Sequence, residues 1–357
     1  MKHIFTTLLL LIATQIIYAQ DKFNRTNIVD LALIYHGGEH RSSYTWTKDR
    51  FEPYVSYTDN QGKQKWIYDG FLFLEFKDGK GRNYAPGYDK LNARKIEWEW
   101  LLDRHFDKNL AFSALNDVIT EKKKIIKNNS FKHKIVMGLP SPIHNQKDWG
   151  KLNGKDLVFD NKEDRLIAIK WYIDEFILRF TKSNYKNIQC AGFYWVDEDD
   201  RDGKGIENEI GDYVRSKGLK FYWIPYWNAS GNTKWKEMGF DFAWLQPNHF
   251  FHQNITDARL QEACDLANKM HMGLEMEFDD NALADKNKSR NRLMAYINTF
   301  EKNGVFAQSS IAYYQGGDAF YKLFKSTNKL DQDAYYLLAD LISQRKEKSV
   351  YKKLYKK

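Results

Sequence analysis

Between residues 28 and 317 the chain alternates short apolar runs with longer stretches in which apolar residues recur every three or four positions. The short runs have strand length and are rich in aromatic and branched residues, whereas the longer stretches have the period of helices with one apolar face. The runs Ile28–His36, Gly70–Phe76, Lys134–Leu139, Ile188–Val196, Lys220–Tyr226, Phe240–Gln246, Met272–Phe278 and Gln308–Tyr314 are the predicted strands. Helices are predicted over Ala93–Phe106, Ala111–Lys127, Glu163–Thr181, Glu207–Lys217, Thr256–Met270 and Ser289–Lys302, with a short one near Lys234–Met238. In the Glu163–Thr181 helix, Leu166, Ile169, Ile173, Phe176, Ile177 and Phe180 share one face. Alternating aromatics on either side of Asn60–Lys63 predict a hairpin after the first strand, laid over one end of the molecule. Eight strands, most followed by helices, predict a (β/α)8 TIM barrel that forms one domain over residues 20–344, with an extra helix at its carboxyl end. The rival, an open doubly wound sheet, normally carries a glycine-rich phosphate turn after its first strand. Neither G-x-G-x-x-G nor G-x-x-x-x-G-K-[ST] occurs, and Gly37-Gly38 alone does not supply one.

The first residues stand outside this rhythm. Lys2 and His3 precede an apolar run from Ile4 to Ile17, and Ile17-Tyr18-Ala19 has the form of a cleavage site. Residues 1–19 are expected to be a signal peptide, so the mature protein is expected to be secreted or periplasmic. No later run approaches the roughly 18 apolar residues that a membrane span needs. The formal charge of +8 is concentrated at the carboxyl end, where residues 345–357 hold seven Lys or Arg against one Glu. With Lys2 in the leader, only +1 remains for residues 20–344, too little for a phosphate-binding surface, so nucleic acid is not an expected partner. The basic tail reads as a solvated helix end or a loose contact with an acidic surface. Cys190 lies in a strand and Cys264 on the apolar face of a helix; both read as buried free thiols, with a pairing between them left open.

Candidate chemistry gathers at the carboxyl ends of the strands, where barrels place their active sites. Strand four runs into Asp197, Glu198, Asp199 and Asp200, and strand seven carries Glu275, Glu277, Asp279 and Asp280. Carboxylates cannot follow a buried strand inward without a large desolvation penalty, so both strand ends are expected to open onto one pocket. Alternation puts Glu275, Glu277 and Asp279 on the face opposite Leu274, Met276 and Phe278, which should meet the helices and leave the acids inside the barrel. Other strand-end residues, His36, Glu75, Trp195, Asp197, Tyr226, Trp227, Asn228, Gln246, Asn248, Tyr314 and Gln315, are the candidate substrate-binding set. Trp195, Trp223, Trp227, Trp244 and Tyr314 bring aromatic rings to the same neighbourhood. Flat rings beside acids and amides suit sugars, which offer C–H faces and hydroxyl edges. Glycosidic cleavage needs such a pair of carboxylates, one to protonate the leaving oxygen and one to attack the anomeric carbon or activate water.

No metal or cofactor is assigned. His36-Gly37-Gly38-Glu39-His40 has the letters of a zinc motif but lacks the helix that aligns its ligands. His249 and His252 have helical spacing but follow a Pro-Asn turn, and Asp197–Gly203 lacks a full calcium loop.

Glutamates at the ends of strands four and seven resemble those of the retaining glycosidase clan built on this barrel. That resemblance implies Glu198 as acid/base and Glu277 or Glu275 as nucleophile, with Glu277 favoured because it lies nearer the carboxyl end. Asp197 departs from the clan, which usually has Asn before the strand-four Glu, and leaves retention open. The strings YDGFLFLEF, EWEWLLDRHF, AIKWYID, GFYWVDED, GLKFYWIPYW, GFDFAWLQPNHFF, GLEMEFDD and IAYYQGG are similar to those of a family of secreted bacterial proteins named as domain of unknown function 4855. This likeness spans about residues 28–320 and implies one integral barrel without assigning catalytic residues. The expectation is a secreted glycoside hydrolase acting on a poly- or oligosaccharide. The alternative is a non-catalytic glycan-binding barrel, and a third, weaker one is a metal-assisted barrel hydrolase or lyase.

Overall fold

The computed structural model describes residues 26–36, 45–126, 132–199, 205–286 and 288–347. The expected leader, Gly37–His40, Asp200–Lys204 and the end of the basic tail lie outside the described residues. Eight parallel strands follow in chain order: β1 Asp30–Tyr35, β2 Gly70–Leu74, β3 His133–Leu139, β4 Ile188–Trp195, β5 Lys220–Trp223, β6 Phe242–Leu245, β7 Gly273–Glu277 and β8 Ile311–Tyr314. Each pairs with its successor, and β8 pairs with β1 through Asp30 and Ile311, which closes the (β/α)8 TIM barrel. A parallel barrel covers both faces of its strands, which is why these segments read as nearly unbroken apolar runs.

Alternation divides the buried side chains into two layers. Leu31, Leu33, Tyr35, Leu72, Leu74, Val136, Tyr194, Tyr222, Trp244, Ala312 and Tyr314 fill the barrel axis. Ala32, Ile34, Phe71, Phe73, Ile135, Met137, Leu274 and Met276 pack outward, against the helices.

The helices are α1 Lys48–Val55, α2 Lys95–His105, α3 Ala111–Lys123, α4 Lys162–Ser183, α5 Glu207–Ser216, α6 Ala258–Lys269, α7 Arg290–Lys302, α8 Val305–Gln308, α9 Ala319–Lys325 and α10 Lys329–Glu347. In α4 the expected face, including Leu166, Ile169, Ile173 and Phe176, is buried. Asn161 caps its start by accepting from the Glu163 N–H at 3.0 Å, and Asn184 ends it in the left-handed region at φ 50°. The expected hairpin pairs Ser56–Thr58 with Gln64–Trp66. Its Trp66 ring meets His133 at the start of β3, so it covers the amino ends of the strands, opposite the acids.

Two boundaries differ from expectation. Strand eight starts at Ile311, because Val305–Gln308 is one turn of helix. The short helix expected near Lys234–Met238 is only a 3-10 turn at Asn232–Lys234, so β5 and β6 are joined without a full covering helix.

The basic tail also begins later than its charge suggests. Arg345 is 1 % exposed: its guanidinium pairs with buried Asp30 at 2.9 Å and donates to the carbonyls of Phe306 and Ser309. Lys346 reaches the same Asp30 at 2.7 Å. Both residues belong to the barrel floor, since a buried carboxylate at the start of β1 requires cations and the end of α10 supplies them.

Candidate functional site

The site is built from the carboxyl ends of β4 and β7. On β7, Leu274 and Met276 pack against the helix layer, so Glu275 and Glu277 turn the other way, as alternation requires. Glu275 is 2 % and Glu277 0 % exposed. On β4 the register with β3 slips by one residue between Cys190 and Gly192. This bulge at Ala191 reverses the parity of everything after it. Ile188 faces the helices, yet Tyr194 and Val196 enter the axis while Phe193 and Trp195 face outward. Glu198 lies half-buried in the bend three residues past the end of the strand.

Tyr194 lies on the axis, and charges from both strand ends act on its phenol. Burial holds its phenol well above the usual range, and the charges of Glu198, Tyr35, Glu275 and Tyr88 add to the effect. One buried hydroxyl therefore lies within the fields of carboxylates from two strands on opposite sides of the barrel.

Glu277 is held differently. It accepts hydrogen bonds from the Tyr296 hydroxyl, from Gln246 Nε2 at 3.3 Å and from the His249 N–H at 3.3 Å, and the Asn248 N–H also points at it. Asn248 adopts φ 53°, a left-handed conformation that lets successive N–H groups face one anion. Burial pushes the Glu277 carboxyl above its usual range, and the donors from Tyr296, His249, Gln246 and Asn248 oppose that push. Because Tyr296 belongs to α7, the carboxylate is drawn from the axis toward the helix layer.

Aromatic rings pack in the axial layer at the end of β8 and around it. Tyr35 lies 5.9 Å from Phe76 and 6.2 Å from Tyr314, centroid to centroid. Phe76 stacks on the half-buried Tyr88 at 4.3 Å, and Phe251 stands edge-on to Tyr314 at 5.5 Å.

The candidates read from sequence separate into two groups. Glu277, Gln246 and Asn248 are joined by hydrogen bonds, Tyr314 is in register beside Glu277, Glu275 lies on the same face of β7, and Glu198 lies just past the end of β4. The others serve the scaffold or line its outer rim. His36 is buried outside the axis: its ring takes the Trp46 N–H, bonds the Arg104 carbonyl and meets His105 edge-on, and burial holds it well below the usual histidine range. Gln315 is spent on Tyr54, Phe320 and the Leu33 carbonyl. Glu75 is buried between Leu74 and Phe76, both axial, and accepts from the Phe76 N–H at 2.9 Å. Asp197 accepts from Ser141 at 2.7 Å, and with the outward-facing Trp195 it lines a side recess of about 150 Å³ between the loops after β3 and β4. Tyr226 donates to Asp199, and Trp227 lies beneath the Arg259 guanidinium at 4.7 Å. Asn228 is exposed in the turn beyond. Trp223 and Trp244 are fully buried and cannot stack on a ligand.

Sequence reasoning passed over Tyr194, Tyr296 and Phe251. Tyr194 lies inside the quoted GFYW string but needs the bulge to point inward, and Tyr296 lies on a helix whose apolar spacing hides a polar contact. Among the described residues no group of three His, Cys, Asp or Glu is placed to hold a metal ion. His249 is instead buried against Asp257 at 2.8 Å. Cys190 and Cys264 are free thiols, and burial pushes Cys190 up to about 12. No helix among the described residues is long and apolar enough to cross a membrane.

A family model described as "Domain of unknown function (DUF4855)" matches residues 30–340. No curated protein matches the chain. Among solved structures, one variant of the tryptophan synthase alpha-subunit from the hyperthermophile Pyrococcus furiosus shows 8% identity and a TM-score of 0.39, over 88% of this chain and 97% of that one. Another structure of that subunit, from a study of its entropic stabilization, shows 9% identity and a TM-score of 0.39, over 89% and 98% of the two chains. Likeness at this level transfers no chemistry from those proteins to this chain.

Proposed function

The chain belongs to the DUF4855 family, and from that premise we propose that this barrel is an exported glycoside hydrolase acting on a poly- or oligosaccharide. The observation that supports the reading is the placement of acids at two strand ends, with Glu275 and Glu277 on the axial face of β7 and Glu198 just past the end of β4. A pair of carboxylates, one to protonate the leaving oxygen and one to attack or to activate water, is what glycosidic cleavage requires. In this reading Glu198 protonates the leaving oxygen, and Glu275 is the second carboxylate, which attacks the anomeric carbon or deprotonates the attacking water. Glu275 is preferred to Glu277 because the oxygens of Glu277 are already engaged by Tyr296, Gln246 and His249. Glu277 then braces the β6 loop, and its negative charge behind Glu275 tunes that acid. The half-buried ring of Tyr88 supplies an apolar face for the sugar.

Reducing-sugar release from a panel of plant, microbial and host glycans tests the reading. Wild type should release sugar from at least one glycan, and Glu198→Gln and Glu275→Gln should each lower that release by at least about a hundredfold while leaving the fold intact. Collapse on Glu277→Gln but not on Glu275→Gln would exchange the roles of the two strand-seven acids. Binding without release would replace the hydrolase by a glycan-binding barrel.

A further inference from the structure

Building on the hydrolase reading, we propose that Phe251, standing over Tyr314, is the platform on which a pyranose ring of the glycan stacks. Phe251 is 40 % exposed in the loop after β6, with its ring edge-on to Tyr314 at 5.5 Å. Tyr314 ends β8 and is in register with Glu277, so the phenyl stands beside the strand-seven acids. Single exposed apolar residues are common and by themselves mean little. Here the backbone that carries the ring is pinned on both sides. Arg292 of α7, itself buried, donates to the carbonyls of His249, His252 and Ile255, and the His252 N–H bonds back to His249 at 3.2 Å. The His249 N–H in the same loop is bound to Glu277. A loop anchored from within, with its one large apolar side chain left in water, presents a rigid surface.

That rigidity matters because a ligand meeting a fixed ring loses little further conformational freedom in the protein. A phenyl has no hydrogen-bonding atom and carries a negative face, so it selects for a broad C–H surface. Pyranoses whose hydroxyls are mostly equatorial expose such a surface on both faces. The ligand class is therefore glycans of gluco-configured pyranoses, in preference to galacto-configured ones, whose axial hydroxyl interrupts one face.

The test uses the full chain with Glu198→Gln, which holds the substrate without turning it over, titrated calorimetrically with gluco-, manno- and galacto-configured oligosaccharides. A gluco-configured oligosaccharide should bind best. Adding Phe251→Ala should weaken it about tenfold, and Phe251→Trp should restore it. In the otherwise wild-type enzyme, Phe251→Ala should raise KM about tenfold and leave kcat unchanged, the signature of lost uniform binding. Melting temperatures should move little, since the side chain is 40 % exposed. Binding by Phe251→Ala within about twofold of its parent, tightest binding of a galacto-configured ligand, or no binding to any of the set would overturn the platform. If Phe251→Ala is neutral while Glu198→Gln abolishes release, the platform falls and the hydrolase stands. If Phe251→Ala weakens binding while wild type releases nothing, the platform stands in a barrel that only binds.

Discussion

Gly192 decides which residues of β4 see the axis. A Cβ built at this position would lie 1.8 Å from the Lys220 carbonyl oxygen, inside any permissible contact, because the bulge brings the β4 and β5 backbones together there. The neighbour cannot retreat, since it is main chain in a closed sheet. Gly192→Ala is therefore expected to lower stability by at least about 3 kcal/mol, and urea unfolding followed by tryptophan fluorescence would measure it. A loss below about 1 kcal/mol would mean that the bulge can slide, and with it the orientation of Tyr194 and Glu198.

Among the elements, α10 shows how far a charge pattern can mislead. Its last turn carries Arg345 and Lys346, which continue into a run of basic residues and so look like solvated tail. In the fold they close the barrel floor on Asp30, and the Tyr313 hydroxyl adds a bond to the same carboxylate at 2.8 Å. Asp69 beside them accepts the Asp30 N–H at 2.7 Å and lies 3.9 Å from the Lys346 ammonium, and burial raises its own carboxyl. Removing one partner of a buried pair leaves the other charge uncompensated. Arg345→Ala should cost about 3–5 kcal/mol, well above the effect of exposed pairs such as Lys329 with Asp333. Thermal melting of both single variants, Arg345→Ala and Lys329→Ala, checks the contrast, and equal shifts would refute the floor's role.

Across the whole molecule, buried histidines shape the response to acid: burial holds His36 and His249 below the usual range, as it does His105 and His133. Burial lowers His105 from 6.5 to about 4 and His133 from 6.5 to about 3, so both are neutral in the fold. An unfolded chain would protonate them from about pH 6.5 downward, so their contribution is complete above that pH and is lost as pH falls toward 4 and 3. The slope is about 1.4 kcal/mol per pH unit for each histidine. Glu277 works in the opposite sense: its raised carboxyl stabilises the fold in acid and loses that contribution as pH rises. Urea midpoints between about pH 7 and pH 4 should fall with acid, and His133→Phe should flatten the curve by one histidine's slope. An unchanged slope would show that His133 protonates without opening the structure.

What the amino-acid sequence determined by itself is whatever local periodicity encodes. The eight strands, the apolar face of α4 and the inward turn of Glu275 and Glu277 follow from side-chain alternation, which needs no knowledge of neighbours. The expectation that the carboxyl ends carry chemistry came from the penalty for burying Asp197 to Asp199 beyond a closed strand. Tertiary structure alone decided the parity of β4, because a bulge depends on how closely the β5 backbone approaches. It likewise turned Trp195 and His36 outward, engaged Gln315 with Tyr54, and drew Glu277 toward Tyr296. Each of these contacts joins residues far apart in the chain, and no local pattern records which distant donor or backbone will arrive.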